Sequence, residues 1–137
     1  MGYPAPEAEK EMLRRKQEGN PLERVERVVD HGGLLDLQRQ VDAVHLSEQV
    51  LDYVVALVGA TRVHPMIEQG ASPRASLALS AMAKAAAFVQ NRDYVLPEDV
   101  SLVFKDTVAH RLILSPRAGE NDPLEDVLRA VAPPRVR

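Results

Sequence analysis

Between Gly70 and Val89 the chain reads GASPRASLALSAMAKAAAFV. Ala75, Ala78, Leu79, Met82, Ala85, Ala86 and Val89 recur there at helical spacing. Most of these side chains are small. A face this thin is buried efficiently only if another helix approaches closely, which commits the chain to helix-on-helix packing. Composition points the same way. Aromatic residues make up 4% of the sequence and Trp is absent, so the core has to be built from Leu, Val and Ala. A chain of 137 residues is long enough for one modest core.

Prolines and capping residues divide the remainder. A first helix is predicted from Pro6 to about Gln17, with Glu7, Glu9 and Glu11 early and Arg14, Arg15 and Lys16 late. Its apolar residues are Ala8, Met12 and Leu13, so it should be half exposed. Gly19-Asn20-Pro21 breaks it. PLERVERVVD is ambiguous: Leu22, Val25 and Val29 fit a helix, while Val25 to Val29 also fits an extended segment. His31-Gly32-Gly33 reads as a further break, followed by a short helix over roughly 33–43. Ser47 should cap a third helix that buries Val50, Leu51, Val54, Val55 and Val58. The opening stretch is the fourth helix and ends at Asn91-Arg92-Asp93. Tyr94-Val95 reads as a very short strand able to pair with Arg111 to Ser115. Pro97, Glu98 and Asp99 start a fifth helix with Val100, Val103, Phe104, Thr107 and Val108 inward. Asp122-Pro123 starts a last one, with Leu124, Val127, Leu128 and Val131 as its stripe. The expected class is mainly all-α, a bundle of five or six helices with at most a minor β pair.

Several functions are disfavoured. A net charge of −3 argues against nucleic-acid binding and against electrostatic attachment to a membrane. The absence of Cys excludes disulfides, thiol catalysis and thiolate metal sites, and it suits a cytoplasmic location. No apolar run reaches the ~18 residues of a membrane span. MGYPAPEAEKEM lacks the apolar stretch of a signal peptide, and Met1 reads as a start placed before a segment that normally has protein ahead of it. There is no phosphate loop, no H-E-x-x-H and no G-x-S-x-G. His31, His45, His64 and His110 show no paired ligand spacing, so structural roles are favoured over a metal site. Glu98-Asp99 suggests an acid–base pair on paper, but a helix-start role explains both residues.

The start of the fourth helix is unusual. Ser72 is a suitable cap and Pro73 a suitable first residue, yet the next residue is Arg74. A cation there opposes the helix dipole, at a cost of a few tenths of a kcal/mol up to about 1 kcal/mol. The sign becomes favourable if an anion, most naturally a phosphate, meets the helix end and the guanidinium together. The competing reading is an exposed Arg whose chain bends away from the helix end.

These residues also carry a family likeness. GASPRASLAL, then AAAFVQNRDYVLPEDV and HRLIL, resembles the C-terminal lid of the MoxR family of AAA+ ATPases. VDAVHLSEQVLDYVVALVGATR resembles the segment that precedes it, and GYPAPEAEKEML the junction with the ATPase core. The likeness covers at least Gly2 to Ser115, and the magnesium-chelatase clade has a similar lid. It implies a junction helix over 1–20 and a helical lid over 21–115, while the residue pattern adds a C-terminal loop and helix over 116–137. It implies that Arg74 is the second sensor, reaching with Ser72 and Pro73 toward the γ-phosphate of ATP bound in the core. The family's nucleotide loop, Mg²⁺-binding acidic motif and arginine finger have no counterpart here. The resemblance therefore implies a lid fragment that does not hydrolyse ATP or hold nucleotide tightly alone. In the parent it implies ATP with Mg²⁺, a ring that is typically a hexamer, chaperone-like remodelling and a von Willebrand A domain partner. Thr61-Arg62 and His110-Arg111 match the family pattern without an assigned chemistry; packing or an interface is expected of them. The alternative is a free-standing helical protein-interaction module in which Arg74 is an ordinary surface residue.

Overall fold

The structure is a computed structural model that describes residues 2–119 and 121–135. Among the described residues it has six α-helices and one two-stranded sheet. Two compact units are distinguished, Met1–Leu34 and Leu35–Arg137.

In the first unit, α1 runs from Pro6 to Gln17, acidic at its start and basic at its end as the dipole favours. Glu11 pairs with Arg15 at 3.1 Å one turn on. No residue of α1 is buried, so the helix is more exposed than its sequence suggests. Pro21–Arg24 forms a 3₁₀ turn capped by the Asn20 side chain, and residues 25–30 have no regular structure. The ambiguous PLERVERVVD stretch is thus neither a full helix nor a strand. His31-Gly32-Gly33 is not a break. It forms the first turn of α2, His31–Asp42, because Asp30 Oδ1 accepts the Gly33 N–H at 2.7 Å.

The second unit holds the core. Ser47 caps α3, Glu48–Thr61, accepting from the Val50 N–H. Val50, Tyr53, Val54, Leu57, Val58 and Thr61 are buried. Leu51 and Val55, expected inside, are 36% and 63% exposed. Successive residues of a helix are about 100° apart, and the core takes the stripe centred on Val54 and Val58 rather than its neighbour. In α4, Pro73–Val89, the buried residues are Ala75, Leu79, Ala83 and Ala87, one every fourth position. Met82 and Val89 lie on the surface instead, because the contact follows a single i, i+4 ridge. Those alanines let α4 lie close against α5, Pro97–Val108, whose Val100, Phe104, Thr107 and Val108 are buried. α6, Pro123–Ala130, adds Leu124 and Val127 and is capped by Asp122, which accepts from the Leu124 and Glu125 N–H groups. Leu57, Leu79 and Phe104 are the largest fully buried side chains; truncating either Leu to Ala costs about 3 kcal/mol.

The β pair is present but with different partners. β1, Ile67–Gln69, runs antiparallel to β2, Ile113–Leu114, and the Ser115 N–H extends the contact to the Met66 carbonyl at 3.0 Å. Tyr94 instead makes one parallel bridge to His45. Val95 is buried two residues before α5 begins, which leaves no length for a ladder there.

Candidate functional site

The candidate site is the start of α4. Gly70 and Ala71 lead out of β1, Ser72 occupies the cap position with extended backbone, and Pro73 is the first helical residue. Arg74 follows in the first turn, and Ser72, Pro73 and Arg74 are all exposed. The structure therefore brings the three sequence-predicted residues together on the surface, as consecutive positions of one helix start.

One expectation needs correcting. Ser72 does not cap through its side chain; its hydroxyl makes no cap hydrogen bond, and only its carbonyl engages the turn, accepting the Ala75 N–H at 2.8 Å. The first turn contains no acidic residue. Among the described residues, the Arg74 guanidinium makes no hydrogen bond and no ion pair. The charge is thus not compensated locally, and the helix end keeps its unmatched positive character.

Thr61 and Arg62, left without a role by the sequence, hold this start in place. Thr61 is fully buried at the end of α3. Its hydroxyl donates to the Val58 carbonyl at 2.6 Å and accepts the Ala71 N–H at 3.0 Å. Arg62 Nε donates to the Ala71 carbonyl at 2.8 Å. Both backbone groups of Ala71 are therefore tied to the C-terminal end of α3 and the residue after it. Gly70 permits this approach: a Cβ there would meet the Arg62 Cα at 2.5 Å and its N at 2.7 Å. No local sequence signal announces these contacts, because they join residues nine and ten positions apart across a loop.

A second polar cluster sits at the start of α5. Arg92 donates to both Asp99 carboxylate oxygens, at 2.5 and 2.7 Å, and lies over the Tyr94 ring. Asp99 is 2% exposed and also accepts the Leu96 N–H at 2.8 Å. Burial alone would raise its pKa, but the Arg92 and Leu96 hydrogen bonds overcome this and hold it below the ordinary carboxylate value. Glu98 and Asp99 are thus no acid–base pair: Asp99 is spent on the cap and on Arg92.

A guanidinium and an open helix end suit one face of an anion such as a terminal phosphate. They do not suit a metal ion, and among the described residues no group of three or more His, Cys, Asp or Glu side chains could hold one. No described helix is long and apolar enough to cross a membrane.

Comparison with known proteins places the chain. Residues 59–131, which include β1, the α4 start and α5, match the family described as AAA lid domain. Chaperone MoxR1 of Mycobacterium tuberculosis is 38% identical over 99% of this chain and 39% of its own length. YeaC of Bacillus subtilis, an uncharacterized protein, is 37% identical over 86% of this chain and 37% of its own. A crystal structure from Cytophaga hutchinsonii, named as a "putative ATPase", superposes with a TM-score of 0.82 at 35% identity, covering 98% of this chain and 45% of that one. The chain thus spans about two-fifths of the length of these two curated relatives. It belongs to the AAA lid domain family, and its kinship is with the MoxR proteins.

Proposed function

We propose that this chain is the nucleotide-sensing lid of a MoxR-type AAA+ ATPase, and that Arg74 is the residue through which it senses. The observation that carries the reading is the exposed Arg74 in the first turn of α4, with no acidic residue in that turn and no partner among the described residues. An anion delivered from outside the chain converts that unfavourable charge into a favourable one. In the parent ATPase the anion is the γ-phosphate of ATP, with Ser72 and Pro73 shaping the approach. Mg²⁺ and the rest of the phosphate cradle come from the core, because the residues here supply one guanidinium and one helix end. ATP bound between core and lid supplies the phosphoryl group whose loss the lid reads. Arg74 acts on charge at that phosphate and takes no proton; its guanidinium stays charged throughout.

The surface agrees with a part that works against other protein. Met12, Leu13, Leu22, Val25 and Val28 are exposed in the first unit. Met82, Val89 and Leu102 are exposed on the second, along a groove between α4 and α5 that Ala85, Ala86 and Val103 also line. We assign these faces to the lid's own core and to neighbouring subunits of a ring, taken as a hexamer. Chaperone-like remodelling in the cytoplasm, with a von Willebrand A domain partner, completes the reading. The same exposed groove also favours the alternative, a free-standing interaction module without nucleotide chemistry.

Turnover separates the two. In the ATPase carrying this lid, Arg74→Ala is expected to lower kcat on the order of a hundredfold while the protein stays folded. Turnover at the wild-type rate would remove Arg74 from the site and leave the interaction module.

A further inference from the structure

Ala71 is tied into the fold on both sides. Three observations converge on it. The Ala71 N–H and carbonyl are bonded to two consecutive residues at the end of α3, Thr61, its last residue, and Arg62, which follows it. Gly70 is pressed against the Arg62 backbone with no room for a side chain. On its other side the same segment is held by β2, through the Ile67 and Gln69 pairing and the Ser115 to Met66 hydrogen bond. Ala71 stands three residues before Arg74, and Pro73 restricts the backbone between them. A connection secured on both sides has little freedom to let α4 tilt independently of α3.

We infer that Thr61 and Arg62 are positioning residues that set where Arg74 meets its anion and make α3 move with it. Thr61 is the principal one. Its hydroxyl is buried and accepts the Ala71 N–H, so replacing the hydroxyl with a methyl group leaves a buried N–H without a partner and releases the connection. Arg62 supports it from the exposed side. Neither residue touches the anion. Each acts through the placement of Arg74, where a displacement of about 1 Å is enough to cost up to a hundredfold in rate. The inference rests on the reading of Arg74 as the sensor.

The test is steady-state ATP hydrolysis by the ATPase carrying this lid, with thermal unfolding measured in parallel. Thr61→Val should lower kcat roughly tenfold with the KM for ATP changed less than about twofold. Thr61→Ser, which keeps the hydroxyl, should restore kcat to within about twofold of wild type. Arg62→Met, a change at an exposed position, should lower kcat about threefold and keeps the test decisive if Thr61→Val does not fold. In an Arg74→Ala background, neither change should lower the rate further, because the residue being positioned is gone. A severe loss in Arg74→Ala beside wild-type kcat in Thr61→Val and Arg62→Met would overturn the positioning role and leave the sensor reading intact. Equal fold-losses with and without Arg74 would also overturn it. Wild-type kcat in Arg74→Ala itself would overturn the sensor reading, and the inference with it.

Discussion

Four of the described α-helices begin with proline, and two of them, α4 and α5, then diverge. α5 begins Pro97-Glu98-Asp99, and its charges satisfy the helix end: Asp99 accepts the Leu96 N–H and is clasped by Arg92 at 2.5 Å. α4 begins Pro73-Arg74, and nothing on its first turn answers the helix end. The first start is complete within the chain. The second leaves the Arg74 charge unanswered among the described residues. The contrast rests the proposed role of Arg74 on a local rule that α4 violates and a neighbouring element of the same fold obeys.

Stability is where the difference between the two starts should be largest. Asp99→Ala leaves Arg92, whose side chain is 18% exposed, without its partner and opens the α5 cap, and should cost about 3 kcal/mol. Chemical denaturation of the isolated chain measures it. Arg74→Ala in the same assay should change stability by less than about 0.5 kcal/mol. Equal losses at the two starts would erase the contrast.

Acid should separate them next. The folded-state pKa of Asp99 is depressed, so its contribution is fully present above the ordinary carboxylate value and is lost as pH falls through the folded value. Stability of the wild type should therefore decline on acidification below pH ~4. Asp99→Asn should flatten that decline, whereas Arg74→Ala should leave its shape unchanged. Thermal unfolding across pH 2–7 reads both, and an unchanged slope in Asp99→Asn would contradict the Asp99–Arg92 account.

A small but diagnostic effect comes from reversing the charge. Arg74→Glu makes the α4 start resemble that of α5, and should stabilise the isolated chain by up to about 0.5 kcal/mol while abolishing phosphate sensing in the ATPase. Destabilisation would mean that Arg74 has a structural partner.

Helix positions were largely readable from proline, caps and periodicity, which are local signals. α1 and α5 begin where Pro6 and Pro97 predict, and α3 where Ser47 does. Errors arose where a choice depended on distant residues. Leu51 and Val55 are as apolar as Val50 and Val54, and only the position of α4 and α5 decides which stripe is buried. Ile113–Leu114 pairs with Ile67–Gln69 and not with the expected Tyr94-Val95, because strands of two or three residues carry almost no periodicity. At the site, Arg74 stood out because its charge conflicts with its own helix. Thr61 did not, because a buried hydroxyl serving an N–H ten residues away looks in sequence like any threonine at a helix end.

The central claim is that the α4 start is built for an anion from outside the chain, and lid position reports on it most directly. In the ATPase carrying this lid, one spectroscopic label on α3 and one on the core give their separation with ADP and with a non-hydrolysable ATP analogue. The account predicts that the separation changes with the γ-phosphate in the wild type, and that Arg74→Ala keeps the ADP-like value with either nucleotide. An Arg74→Ala protein that still switches as the wild type does would contradict it.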